Sequence, residues 1–289
     1  MKPLKSIVSL SVLLILFVTS CTKTETGYYS EPVKTLVIVT DNDPSSDIMV
    51  GILGAVRSAY PTANLEFFPS KAFNVFEGSY LLNISMQAYP KGTIVAGIVE
   101  PGAGSKRMVF AADGKLLIAP DNMLATRILH SHPATTCYFI ENPAVLGGAE
   151  PSSLSFEEFY KRAILSLMAG TSLSTFGPVC ASPLQFPIQE PVISGDTIKG
   201  EVLFTDNFGN CTTNIPLVMV SGIPSGTLLS LVSDTTHLTV TMGVSYSSVP
   251  IGSNVCFVNS SQRLELAVNY GNFSGKYNIS ASSKVKILK

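Results

Sequence analysis

The chain has 289 residues, of which 46% are hydrophobic and 13% charged, with 19 basic against 20 acidic side chains, five cysteines and no tryptophan. About a quarter of an average soluble chain is charged, so the low value here, with a mean hydropathy of +0.34, excludes a disordered chain: the apolar content offsets the entropy of folding. The near-balance of charge without a basic cluster excludes a nucleic-acid partner.

At the N-terminus, Lys2 and Lys5 precede an apolar run from Ile7 to Val18, broken only by Ser9 and Ser11. Such a run is too short for a helix to cross about 30 Å of hydrocarbon, and its basic-then-apolar order is that of a secretory signal. It ends in Val18-Thr19-Ser20-Cys21, which resembles a bacterial lipobox. The reading is a signal peptide over 1–20, lipidation at Cys21 and a polar tether over 21–34. The mature protein is then expected in the bacterial cell envelope, lipid-anchored to the membrane and extracytoplasmic. No later stretch approaches 18 uninterrupted apolar residues, so no further span is expected.

Residues 35–40 form a β-branched apolar run, the pattern of a strand buried on both faces. An Asp/Asn/Pro/Ser loop follows, then helical spacing over 48–60, where Gly51 and Gly54 allow close packing. The order continues with a strand over 65–68, a helix over 78–88 and a strand over 93–99. Residues 108–111 and 116–119 read as a hairpin around Asp113-Gly114, and 122–130 and 156–169 as helices. Strands alternating with helices predict an α/β N-terminal domain with a mostly parallel sheet over 35–176. Residues 177–195, with Pro178, Pro183, Pro187 and Pro191, read as an extended linker. Short runs at 198–204, 227–232, 238–242, 254–258, 264–268 and 285–288 follow, separated by turn residues, and predict an all-β, barrel-like C-terminal domain over 196–289.

Cys137, Cys180, Cys211 and Cys256 are widely spaced and form no Cys/His cluster, so no metal site is expected. Buried free thiols are favoured over one disulfide. His130 and His132 precede Pro133 at a helix end, where histidine commonly meets the last carbonyls.

Ligands of an open α/β sheet gather at the carboxyl ends of its strands. Three polar segments lie there: Thr40-Asp41-Asn42-Asp43, Glu100-Pro101-Gly102-Ala103-Gly104-Ser105-Lys106-Arg107 and Pro120-Asp121-Asn122. An Asp after the first strand suits a ribose diol, whose two hydroxyls it accepts together, although such residues also cap helices. The glycine loop has neither dinucleotide nor phosphate-loop spacing. In the second region, Asp206-Asn207-Phe208-Gly209-Asn210 and Asn259-Ser260-Ser261 are dense in residues that hairpins also need.

In order along residues 35–288, these segments and Phe73-Asn74-Val75-Phe76-Glu77, Tyr89-Pro90-Lys91-Gly92-Thr93, Thr213-Asn214-Ile215 and Leu264-Glu265-Leu266-Ala267-Val268-Asn269 resemble the S-adenosylmethionine (SAM) hydroxide adenosyltransferases. These are SAM hydrolases, relatives of the fluorinase and chlorinase enzymes. The resemblance implies a homotrimer with sites at subunit interfaces, and no cofactor or metal. The implied reaction is attack of water on C5′ of the small-molecule substrate SAM, giving adenosine and L-methionine. Asp41 matches the ribose-binding aspartate, and Phe73 lies in the nucleoside-contacting segment. Asp206 and Asn210 match residues holding the methionine ammonium, and Ser261 lies near its carboxylate. Glu100 and Arg107 match water-activating positions, with Glu100 where the family has Asp. Ser155 stands in place of the family's histidine, and serine is no imidazole base near neutral pH. Asn42 lacks the family's aromatic contact. Two functions follow: an adenosine-forming hydrolase, or a nucleoside-binding or scaffold lipoprotein with catalysis lost.

Overall fold

The computed structural model describes residues 34–100 and 104–288. The signal segment, Cys21 and most of the tether lie outside them, as do Pro101, Gly102 and Ala103.

The first region contains β1 (Thr35–Thr40), α1 (Asp47–Ala59), β2 (Asn64–Pro69), α2 (Val75–Ala88), β3 (Ile94–Ile98), β4 (Arg107–Ala112) and β5 (Lys115–Pro120). It continues with α3 (Thr126–Ser131), β6 (Cys137–Phe139), α4 (Phe156–Met168) and β7 (Val179–Cys180). The sheet order is β2-β1-β3-β5-β4-β6-β7. Strands β2, β1, β3 and β5 run parallel, and the β4–β5 hairpin, β6 and β7 pair antiparallel. The mostly parallel sheet is as expected.

Strand β1 shows why its sequence is apolar throughout. Leu36 and Ile38 face one core with Met49, Ile52 and Val56 of α1 and Phe159 and Tyr160 of α4. Val37 and Val39 face the other, with Leu82 and Met86 of α2 and Ile128 and Leu129 of α3. Each such side chain contributes about 1.5–3 kcal/mol of hydrophobic stabilisation. Gly51 leaves room for the Glu157 side chain of α4, whose carboxylate end Oε1 would lie 1.8 Å from a Cβ there; Gly54 has no neighbour within 4 Å and plays no such part.

Helix α2 starts at Val75, three residues before the expected start, because Asn74 caps it: its Oδ1 accepts the Glu77 N–H at 3.0 Å. Helix α3 starts later than expected. Asn122 instead ties the end of β3 to the turn before α3, donating to Val99 O at 2.9 Å and accepting the Leu124 N–H at 3.2 Å.

The second region contains β8 (Val192–Ser194), β9 (Thr197–Thr205), β10 (Cys211–Pro216), α5 (Leu217–Val220), β11 (Leu228–Ser233) and β12 (Thr236–Met242). It ends with β13 (Asn254–Val258), β14 (Arg263–Val268), α6 (Phe273–Tyr277) and β15 (Lys284–Leu288). The order β10-β14-β13-β12-β11-β15-β9 closes through β9–β10 pairing into a seven-stranded barrel, with β8 added outside on β9. Only β12–β13 is parallel. The interior holds Ile198, Val202, Leu229, Leu231, Leu266 and Ile287.

The segment read as an extended linker is divided between the sheets: β7 is an edge strand of the first, and β8 joins the second. Proline is tolerated beside such edges because no N–H is needed outward. Strand β10, unforeseen among Thr212, Thr213 and Asn214, closes the barrel. Its buried Asn214 accepts the Glu201 N–H at 2.8 Å and donates to Gln189 O at 2.7 Å. The regions form one compact unit: α2 packs on β9, Tyr80 stacks on Phe204 with centroids 5.7 Å apart, and Arg127 pairs with Glu201 at 3.5 Å.

Candidate active site

Two polar clusters arise from the segments singled out in the sequence. The first lies at the carboxyl ends of β1 and β3. Thr40 Oγ1 donates to Ile98 O at 2.9 Å and accepts the Asn42 N–H at 3.0 Å, fixing how the chain leaves β1. Asp41 follows, and its Oδ2 accepts the Phe73 N–H at 2.9 Å. Phe73 adopts φ of 60°, an uncommon conformation for a bulky residue, and holds its ring 70% exposed. Asp41 and the Phe73 segment are thus joined directly, with Asp41 Oδ1 left for only a long 3.4 Å contact from Asn42.

Glu100 follows β3 and Arg107 opens β4. Their side chains meet with Arg107 Nη2 2.8 Å from Glu100 Oε2, at 18% and 2% exposure. The Arg107 guanidinium lies 4.8 Å from the Phe159 ring centroid, 5.5 Å from that of Tyr160 and 5.7 Å from that of Phe156. Stacking of this kind suits guanidinium. Burial pushes the Glu100 carboxyl above its ordinary range; Arg107 opposes that, and the Asp41 charge adds to it. Burial also holds the Tyr160 phenol protonated far above its usual range, with the Glu100 and Asp41 charges adding to the shift. Glu100 Oε1, Arg107 Nε and Tyr160 Oη are buried without a hydrogen-bond partner. Three such atoms on neighbouring side chains are an unusual concentration of unsatisfied polar groups for a protein interior.

Ser155 is placed differently from a water-activating residue. It is the exposed N-cap of α4, and its Oγ accepts the Glu158 N–H at 3.2 Å. Its neighbour Phe156, not its hydroxyl, faces Arg107. His132 meets the end of α3, its Nδ1 3.0 Å from Ile128 O and its Nε2 3.0 Å from Asp113.

The second cluster is in the barrel. Asp206 Oδ1 accepts the N–H groups of Phe208 at 2.9 Å and Asn210 at 2.8 Å, while Oδ2 accepts Asn210 Nδ2 at 2.9 Å. The Asn210 amide also donates to Tyr246 Oη at 3.3 Å. The Tyr246 hydroxyl donates to Glu265 Oε1 at 2.6 Å, and Asn259 Nδ2 donates to Glu265 Oε2 at 2.9 Å. Burial, then the bond to Glu265, raises the Tyr246 phenol. Asp206, Phe208, Asn210, Tyr246 and Tyr270 line a cleft of about 580 Å³, over which Phe208 and Tyr270 stand 77% and 89% exposed. Ser261 is one step removed: it sits in the β13–β14 turn and donates its N–H to Asn259 Oδ1 at 3.0 Å. The cleft is lined by barrel residues alone, so Asp206 and Asn210 do not share it with Asp41, Glu100 and Arg107.

Tyr160, Tyr246 and Glu265 were not among the expected site residues. Tyr160 is hidden in the apolar stripe of α4, Tyr246 in a turn and Glu265 in strand alternation. No spacing in the sequence marks them.

An open, mostly parallel sheet with an acid after its first strand, joined to a closed seven-stranded barrel with a second acidic loop, defines a two-domain class of α/β-plus-barrel protein. Models of the SAM hydroxide adenosyltransferase N-terminal and C-terminal domains match residues 37–177 and 200–286, and the chain belongs to that family. It is 27% identical over 218 residues to an (R)-S-adenosyl-L-methionine hydrolase of Thermus thermophilus, covering 73% of this chain and 81% of the relative. It is 29% identical over 263 residues to a fluorinase of an Actinoplanes species, covering 75% and 84%. A solved structure of an uncharacterized conserved protein from Thermotoga maritima shares the fold, with a TM-score of 0.77 and 21% identity over 88% of this chain and 100% of that one.

Proposed function

We propose that the protein hydrolyses S-adenosylmethionine at C5′ of the ribose, releasing adenosine and L-methionine. The observation that carries this reading is the buried Glu100–Arg107 pair beside Asp41, with Glu100 Oε1 unpaired. Asp41 Oδ1 accepts the ribose diol while Oδ2 stays on the Phe73 N–H. Glu100 Oε1 accepts a proton of the attacking water, Arg107 holds the carboxylate, and the Tyr160 hydroxyl donates to the water oxygen. The water oxygen bonds to C5′ as the C5′–S bond breaks; the sulfur leaves as the neutral thioether of methionine, and the proton passes to Glu100. The sulfonium is already a good leaving group, so catalysis is mainly positioning and desolvation of the water.

In this reading the Asp206–Asn210 loop takes the methionine ammonium. A barrel cleft separate from the Asp41 cluster suits a homotrimer in which a neighbouring copy completes each site. The lipobox-like Cys21 anchors the protein outside the cytoplasm.

Ser155 favours a second reading. Its hydroxyl caps α4, leaving no imidazole in the site, which suits a nucleoside-binding lipoprotein without turnover. Purified protein incubated with S-adenosylmethionine separates the two. Hydrolysis predicts repeated adenosine release, lowered by about 100-fold or more in Arg107→Ala. Saturable thermal stabilisation by adenosine with no release above that variant selects the binding protein.

A further inference from the structure

Strands β6 and β7 place two cysteines face to face: Cys137 is the direct antiparallel partner of Cys180. Both side chains lie in the same core cluster, and both are buried thiols in the structure. Three backbone bonds set the register. The Phe139 N–H donates to Pro178 O, and the Glu141 and Asn142 N–H groups donate to Phe176 O, all at 2.9 Å. Gly177 allows this approach, since a Cβ there would meet Phe139 O at 2.6 Å. Phe139 and Pro178 form a hydrogen-bonded pair, so Cys137 and Cys180, two residues along, occupy the same kind of position, with Cα atoms about 5.5 Å apart. Disulfides span Cα separations of about 4.4–6.8 Å and Cβ separations of about 3.5–4.5 Å. Facing Cβ atoms at such a pair are about 5 Å apart, so the two-residue edge strand β7 shifts slightly towards β6 as the bond closes.

The barrel cysteines differ. Cys211 pairs with Leu266 from one side and Cys256 pairs with Leu266 from the other. They are two strand spacings apart, about 9.5 Å, beyond the roughly 7 Å that a disulfide bridges. They belong to the barrel core rather than to the core holding Cys137 and Cys180, which leaves no mixed pair among the four described cysteines.

We propose that Cys137 and Cys180 form the disulfide of this fold, while Cys211 and Cys256 stay thiols. Its formation in the cell rests on the extracytoplasmic reading above. An external disulfide, that of glutathione or of a protein disulfide donor, is the oxidant. One cysteine thiolate attacks it and displaces a thiol; the second attacks the mixed disulfide. One Sγ–Sγ bond forms, two protons are lost and two electrons reduce the oxidant to two thiols. Burial pushes the Cys137 thiol up to about 12, so exchange proceeds from a form in which β7 has yet to dock. The bond staples the edge strand, and the proline-rich segment after it, to the first sheet.

The test is peptide mapping by mass spectrometry. Reduced full-length protein is equilibrated in glutathione and glutathione disulfide, with urea below the unfolding transition to let β7 open, then alkylated and digested. The expected result is a Cys137–Cys180 cross-linked peptide with Cys211 and Cys256 alkylated. It is accompanied by a rise in Tm on the order of 10 °C that is missing from Cys137→Ala/Cys180→Ala. Alkylation of both Cys137 and Cys180, or a bond from either to another cysteine, overturns the pairing. Thiols trapped by acid in cells making the full chain give the second readout. A bond that forms in glutathione but not in those cells overturns the envelope reading and upholds the pairing.

Discussion

Glu100 and Arg107, seven residues apart across the β3–β4 connection, close a 2.8 Å ion pair in which the carboxylate is almost wholly buried. Such a pair contributes little net stability when intact, because desolvation of both charges offsets their attraction. Breaking it is another matter. Arg107→Ala leaves an uncompensated carboxylate and is expected to cost about 3 kcal/mol of stability, as well as activity. Glu100→Gln keeps the shape and removes only the base. It is expected to lower kcat by about 100-fold or more with Tm changed far less than in Arg107→Ala. Calorimetry beside steady-state kinetics separates the two; equal losses of Tm would remove Glu100 from the chemistry.

The same burial predicts a pH profile. The carboxyl of Glu100 titrates above its usual value of 4.5, and only the carboxylate accepts a proton from water. Activity is therefore expected to rise through an acid limb placed above pH 4.5, and Glu100→Gln is expected to flatten that limb. The stability term has the opposite sign. A carboxyl raised in the folded state contributes stability that is fully present below its unfolded pKa and lost as pH rises through its folded value. A profile of kcat/KM whose acid limb survives in Glu100→Gln would assign it to another group.

Tyr160 gives the sharpest contrast between activity and stability. Its hydroxyl is buried without a partner beside Glu100 and Arg107, and an unsatisfied hydroxyl in a core costs about 1–3 kcal/mol. Tyr160→Phe is expected to hold or raise Tm while lowering kcat by about 10-fold with KM little changed. A drop in both Tm and binding would show that the hydroxyl serves packing instead.

These expectations depend on side chains that the sequence presents unequally. Strand β1 was legible because both its faces are buried, which writes Leu36 to Val39 as one apolar run. The meeting of Glu100 and Arg107 beside Asp41 was legible in kind, because the carboxyl ends of the neighbouring parallel strands β1 and β3 lie side by side and gather the polar segments that follow them. Strand β10 was not, because Thr212, Thr213 and Asn214 are polar residues buried by hydrogen bonds rather than by apolarity. Tyr160 was not either: on α4 it keeps the spacing of a core residue, and only the fold brings Arg107 against its ring. Ser155 was legible as a departure from the family, but its part as a helix cap needed the position of the Glu158 N–H.

The barrel loop supplies the last prediction. Both oxygens of Asp206 are engaged, by the N–H groups of Phe208 and Asn210 and by the Asn210 amide. The carboxylate therefore shapes its own loop before it meets any ligand. Asp206→Ala orphans those donors and lets Phe208 and Asn210 drift, so the ammonium site is lost with the loop. Asp206→Asn keeps one acceptor oxygen and removes the charge. If this loop binds the amino-acid end of S-adenosylmethionine, both variants raise KM, Asp206→Ala by about 10-fold or more, with kcat at saturation changed far less. Adenosine, which has no ammonium, should stabilise wild type and Asp206→Asn to the same extent in thermal melts. Weaker adenosine stabilisation in Asp206→Asn would instead place this carboxylate at the nucleoside.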